Sequence, residues 1–176
     1  MIKNRYFIAL LSFFALGSLF FLIQQKWIIF YTLKPLLHET KKQKTTKALI
    51  FLWNNNQWIE KQILIVHENT PETIYTALVN AWIIEHYDRG LLYQKTTVKH
   101  LFFNESHTEC IINFSNNFLK KESTTQEHYM LIESLLKTCA AQKSSCKKIL
   151  FLAQDQPLTN TFLDFSLPWP VEGFLN

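Results

Sequence analysis

Eighteen consecutive residues without a charge, Tyr6–Ile23 (YFIALLSFFALGSLFFLI), divide this chain before any other feature does. Ser12 and Ser18 are the polar members of the run. As a helix rising about 1.5 Å per residue it spans roughly 27 Å, close to the hydrocarbon thickness of a bilayer. Trp27, Phe30 and Tyr31 follow it, and amphipathic rings of this kind suit a membrane interface. The expectation is a single N-terminal transmembrane helix within residues 1–33. A cleaved signal peptide is the rival, because Ala15-Leu16-Gly17 has small residues at suitable spacing. Against it, LFFLI continues the apolar run past that point, where a cleavage site should end it. Orientation is contested within the sequence. Lys3, Arg5 and the amino terminus mark the N-terminal side as cytoplasmic, whereas Lys26, Lys34 and the lysines beyond them pull the other way.

The formal net charge of +4 is unevenly placed. Residues 1–33 contribute +3, and residues 34–47 contribute +4 through Lys34, Lys41, Lys42, Lys44 and Lys47 against Glu39. Residues 48–176 are left at −3. A basic footprint for nucleic acid is therefore missing from the part that should fold, and no nucleic-acid partner is expected. A polybasic stretch beside a lipid surface fits the pattern better. Residues 34–46 read as a basic linker. The 48% hydrophobic content suffices for one core, expected over residues 47–170, with 171–176 as a tail.

Periodicity predicts the order β-β-α-β-β-α-β-β. Lys47–Trp53 and Trp58–Val66 read as strands joined by Asn54-Asn55-Asn56, a turn in which asparagine tolerates positive φ. Thr70-Pro71-Glu72 starts a helix that runs to about His86, with Ile74, Ala77, Leu78, Ala81 and Trp82 as its core stripe. Thr96–Phe103 and Glu109–Phe114 form a hairpin. A second helix over about Gln126–Ala140, capped by Ser123 or Thr124, buries Leu131, Ile132, Leu135, Leu136 and Cys139. Lys147–Ala153 is a strand, Thr161–Ser166 another short one, and Pro168-Trp169-Pro170 ends the regular structure. The fold class is α+β: one mixed β-sheet with two helices on one face.

The residues that carry chemistry are sparse. Three glycines, Gly17, Gly90 and Gly173, exclude a phosphate loop, a dinucleotide fingerprint or a Gly-x-Ser-x-Gly elbow, each of which needs several close together. Of His38, His67, His86, His100, His107 and His128, no two share the i, i+4 spacing of a helical metal pair. Glu85, Asp88, Glu127 and Glu133 read as solvated helix faces. No catalytic residue, cofactor or metal ligand is assigned. Cys139 and Cys146 close an eight-residue segment (CAAQKSSC) and read either as a disulfide, in an oxidising compartment, or as two free thiols. Cys110 reads as core. Trp53 and Trp58 flank the asparagine turn. They present an aromatic edge to a protein partner or a glycan, or simply pack across the hairpin.

The most ordered unit is ECIINFSNNFL (109–119), a strand, a Ser-Asn-Asn turn and the approach to the second helix. Together with LLKTC (135–139), KKILFLAQDQPL (147–158) and FLDFSLPWP (162–170), it resembles the GerMN domain, a sporulation and germination module of bacterial envelope proteins. The resemblance covers residues 47–170. It departs from the family where loop glycines are replaced by Asn, Lys and Gln, and where the lipid-carrying cysteine is missing, so that a transmembrane helix does the tethering. It implies an extracytoplasmic domain on the bacterial inner membrane that binds envelope proteins or peptidoglycan and carries no catalytic residues. It also decides the orientation in favour of an outside C-terminus. Two other classes stay open. One is a scaffold subunit of a division or secretion complex that adds a strand to its partner. The other is a peptidoglycan hydrolase with a site assembled from scattered carboxylates or histidines.

Overall fold

The structure, a computed structural model, describes residues 43–54 and 56–174, all within a unit spanning Lys41–Asn176. The apolar run Tyr6–Ile23, and with it the expected membrane helix, lies outside the described residues. Among those described, no helix is long and apolar enough to cross a membrane.

Strands β1 (Lys44–Asn54) and β2 (Gln57–His67) pair antiparallel over their whole length. β1 starts at Lys44, so three residues expected in the linker belong to the strand. Asn56, with φ of 59°, supplies the positive dihedral that the asparagine turn requires. Alternation places Ala48, Ile50 and Leu52 inward. Helix α1 (Pro71–Asp88) opens with the Thr70 capping box, which Thr73 completes, and Gly90, at φ of +69°, follows its end. β3 (Val98–Phe103) and β4 (Glu109–Phe114) form the second hairpin. Helix α2 (Thr125–Ala140) is capped by Thr124, which the Glu127 carboxylate answers in return. β5 (Lys148–Ala153) runs parallel to β4. Two short strands, β6 (Gln156–Pro157) and β7 (Trp169–Pro170), pair antiparallel with β5.

The α+β class and the element order through β5 agree with the sequence, but three details do not. The strands do not make one mixed sheet. β1 and β2 form a sheet of their own, and the mixed sheet has the order β3-β4-β5 with β6 and β7 beyond β5. Thr161–Ser166 is not a strand, because Asn160 Oδ1 caps the Phe162 and Leu163 amides and Asp164 Oδ1 takes the Ser166 amide. These local side-chain acceptors hold the backbone in turns. Pro168-Trp169-Pro170 does not end the pairing either. Trp169 and Pro170 pair with Ile149 and Lys148, at a sheet edge where a proline's missing donor costs little.

The face of the mixed sheet carrying Leu101, Cys110, Ile112, Phe114, Ile149 and Phe151 is buried in one core with both helices. α1 touches β2, β3 and α2, so it lies between the two sheets. That position explains why its burial exceeds the predicted stripe. Tyr75, Val79, Trp82 and Ile83 enter the main core, while Leu78 packs on Ala48 and Ile65 of the hairpin. A helix between two apolar layers has no single apolar face. Trp82 is fully buried, and a side chain of that size contributes about 3 kcal/mol by removal from water.

The unit 109–119 is central, as its pattern suggested. The turn after β4 is a tie-point. Asn116 donates to the Lys95 carbonyl at 3.2 Å and Asn117 to the Thr159 carbonyl at 2.7 Å, while Phe118 is fully buried between them. Within β4, Asn113 is 3% exposed, and its amide group binds the side chain and the amide of Asp155. Gln154 and Asp155, at φ of 53° and 66°, make the two-residue turn from β5 to β6 that Asn113 thereby pins.

Candidate functional site

Backbone groups along β2 form the first candidate surface. The Phe51 amide points away from β2 and donates to Thr138 Oγ1 of α2 at 3.0 Å. Bonded and non-bonded pairs alternate along an antiparallel ladder. Phe51 faces Glu60, so Glu60, Gln62, Leu64 and Val66 turn their N–H and C=O groups away from β1. The two edges of the hairpin therefore differ. α2 covers the edge of β1, whereas no described strand pairs with the outer edge of β2. From Gln62 to Val66 that edge carries no charge, and Leu64 and Val66 are 67% and 55% exposed. Charges, bulges and prolines are the usual devices that block such an edge. The outer edge of β3 has two of them, Lys99 and a register shift between Val98 and His100. The β2 edge has none between Gln62 and Val66. Lys61, on the opposite face, bridges to Glu85 of α1 at 2.6 Å and holds the strand in place. That bond, followed by the Arg89 contact, keeps the Glu85 carboxyl below its ordinary range.

A second candidate is a hollow of about 430 Å³ beside the turn after β4. Gln94, Asn117, Lys120, Lys121, Asn160 and Thr161 line it, with Tyr93 69% exposed at its side. Lys120 and His128 separate it from a smaller hollow of about 120 Å³ bounded by Trp53, Leu91 and Met130.

The histidines nearby are committed to structure. His128 Nε2 donates to the Lys120 carbonyl at 2.6 Å, which leaves Nδ1 to accept from Asn160 Nδ2 at 3.1 Å. His86 Nδ1 donates to the Trp82 carbonyl at 2.9 Å, and its Nε2 meets Ser134 Oγ at 3.2 Å. Trp82 Nε1 donates to the same hydroxyl at 3.0 Å. Burial pushes the His86 imidazole down to about 4, so it is neutral near pH 7. A serine facing a histidine invites comparison with a catalytic pair, but Ser134 is fully buried in mid-helix. The amides around it are bonded along the helix and cannot receive an oxyanion. His67 bonds Thr46 at 2.9 Å, and His100 and His107 stack on Phe102 and Phe103. His38 lies outside the described residues. Among the described residues, no three His, Cys, Asp or Glu side chains gather as metal ligands would.

The other sequence candidates separate. Trp53 and Trp58 face each other across the hairpin, edge to face, with centroids 4.8 Å apart. Lys137 lies 5.4 Å above the Trp58 ring, and both indoles are half-buried, so the pair mainly closes the hairpin tip onto α2. Glu127 caps its own helix, and the Thr124 amide and hydroxyl depress its carboxyl. Glu133, expected on a solvated face, is fully buried instead. It accepts the Phe174 amide at 3.1 Å and faces Lys137 at 3.7 Å. It thereby clasps the segment after β7, whose Val171 is core. Cys110, Cys139 and Cys146 are all buried free thiols. Helical periodicity could not reveal the β2 edge, because an edge is defined by what fails to pair with it.

No protein-family model matches this sequence, and no curated protein matches it. Among solved structures, "Putative Lipoprotein from Clostridium perfringens" is similar, with 14% identity and a TM-score of 0.41, over 73% of this chain and 87% of that one.

Proposed function

We propose that this chain is a membrane-anchored, non-catalytic, GerMN-like module of the bacterial cell envelope. It sits on the extracytoplasmic side of the inner membrane and binds an extended segment of an envelope protein by adding a strand to β2. The observation that carries the reading is the outer edge from Gln62 to Val66, uncharged and, among the described residues, unpaired, with Leu64 and Val66 exposed beside it. Backbone hydrogen bonds to such an edge supply affinity, and alternate side chains supply selectivity. The apolar run and the basic segment after it support tethering at a lipid surface. The motifs in 109–170 support the envelope assignment.

The test places a photo-reactive side chain at Leu64 or Val66 of the full-length chain in its native membrane. One discrete adduct is expected from both positions and none from Phe162, which is exposed elsewhere. Leu64→Pro removes an outward amide without removing a bond to β1, so it should abolish the adduct from Val66. No adduct at either edge position overturns strand addition.

Peptidoglycan binding is the second reading, favoured by the amide- and hydroxyl-lined hollow beside Tyr93. Co-sedimentation with cell-wall sacculi that is lost in Tyr93→Ala and Lys120→Ala would select it. Absence of co-sedimentation removes it.

A further inference from the structure

The smaller hollow, of about 120 Å³, lies where the end of α1, the first half of α2 and the tip of the β1–β2 hairpin meet. Its walls are apolar: Trp53 from the hairpin, Leu91 from just beyond α1, and Met130 and Leu131 from α2. Its deepest residues are polar. His86 and Ser134 also line it, and they are 1% and 0% exposed. A hydrogen-bond count singles out His86. The Trp82 carbonyl can only accept, so Nδ1, at 2.9 Å from it, carries the ring proton and Nε2 is an acceptor. Burial keeps the imidazole neutral near pH 7, so Nε2 retains that role. Ser134 Oγ stands 3.2 Å from Nε2. That hydroxyl has one proton, and the Leu131 carbonyl competes for it from the shorter distance of 2.8 Å. The Trp82 indole N–H meanwhile binds the hydroxyl oxygen. His86 Nε2 is left with a part share of one donor, at a depth where an acceptor without a partner is costly.

We propose that this hollow binds a neutral, single-ring ligand bearing a hydroxyl, a small phenol, whose ring lies among Trp53, Leu91 and Met130 and whose hydroxyl donates to His86 Nε2. The site is separate from the β2 edge and does not rest on strand addition. Each property of the ligand follows from what lines the hollow. An apolar cavity of about 150 Å³ takes up benzene, so a hollow of this size suits one ring. The side chains that could hold an ion are already engaged. Lys120 Nζ donates to the Gly90 carbonyl, and the Glu127 carboxylate accepts the Thr124 amide at 2.7 Å. A neutral ligand therefore fits better than a charged one. The hydroxyl must keep its proton, because a phenolate oxygen would face the lone pair of Nε2. Once the ligand donates to Nε2, the Ser134 proton goes wholly to Leu131, and every polar atom of this group has a partner.

The experiment titrates phenol into the detergent-solubilised full-length chain at pH 7, where phenols are protonated, and follows ¹³C-labelled methionine methyl groups by NMR. The sequence has two methionines, so Met130 reports on the hollow and Met1 serves as the control. Met130→Leu assigns the two signals. Phenol should move the Met130 signal saturably and leave the Met1 signal in place. Fluorobenzene has a similar shape and no donor, and it should bind about tenfold more weakly. His86→Leu removes the acceptor and should bring the two affinities together. Leu91→Trp, at a position 41% exposed, should fill the hollow from its solvent side and abolish the Met130 shift. Wild type alone decides the matter if His86→Leu fails to fold. No saturable shift at Met130, parallel shifts of both methionines, or equal affinities for phenol and fluorobenzene each overturn the proposal. A Met130 shift that survives in Leu91→Trp also overturns it.

Discussion

Ser134 shows how one small side chain can organise a core. Its hydroxyl oxygen receives the Trp82 indole N–H, and its single proton is shared between the unprotonated His86 Nε2 at 3.2 Å and the Leu131 carbonyl at 2.8 Å. Ser134→Ala leaves two buried polar atoms without partners. It should cost about 2 kcal/mol, read as a lower urea midpoint with unchanged m-value. His86 carries a pH dependence with a definite sign. Its imidazole titrates at about 4 in the fold against an ordinary 6.5, so in that window the unfolded chain binds the extra proton. Its contribution is fully present above pH 6.5 and is lost as pH falls towards 4, a change on the order of 3 kcal/mol. Denaturant titrations across pH 4–7 should show wild type falling by that amount more than His86→Gln. Equal slopes would refute the assignment.

At the scale of elements, the two edges of the β1–β2 hairpin decide what the domain can offer. Thr138 accepts the outward Phe51 amide and so binds the β1 edge to α2. Thr138→Val keeps the shape but strands that amide. Thermal unfolding should register a loss of about 1–3 kcal/mol. Local opening should also appear as faster amide exchange along β1, while β4 and β5 stay protected. Uniform loss of protection would mean that the hairpin and the mixed sheet unfold as one. Most elements were legible from their periods: β4 has the predicted limits, and α2 starts within a residue of them. The stripe on α1 was only partly legible. Period reports a helix with one apolar face, and α1 has apolar neighbours in two layers.

At the scale of the molecule, charge is segregated. Residues 34–47 carry +4 and residues 48–176 carry −3. Lysines beside a bilayer tend to remain on the cytoplasmic side, which opposes the export that the proposed function needs. A reporter active only outside the cytoplasm, fused after Asn176, should be active. Activity confined to a cytoplasmic reporter would remove the envelope assignment.

By itself the sequence determined the properties that local chemistry specifies. These are the uncharged run at Tyr6–Ile23, the caps at Thr70 and at Ser123 or Thr124, the turn at Asn54-Asn55-Asn56 and the strand–turn unit 109–119. Each depends on residues within a few positions of one another. Tertiary structure alone decided that β1 and β2 stand apart from the mixed sheet, that no described strand pairs with the outer edge of β2, and that Glu133 is buried against the C-terminal segment. It also decided that Cys110, Cys139 and Cys146 gather in one core. The reason is the same in each case. Which groups find partners depends on contacts between distant segments, and spacing along the chain carries no record of them.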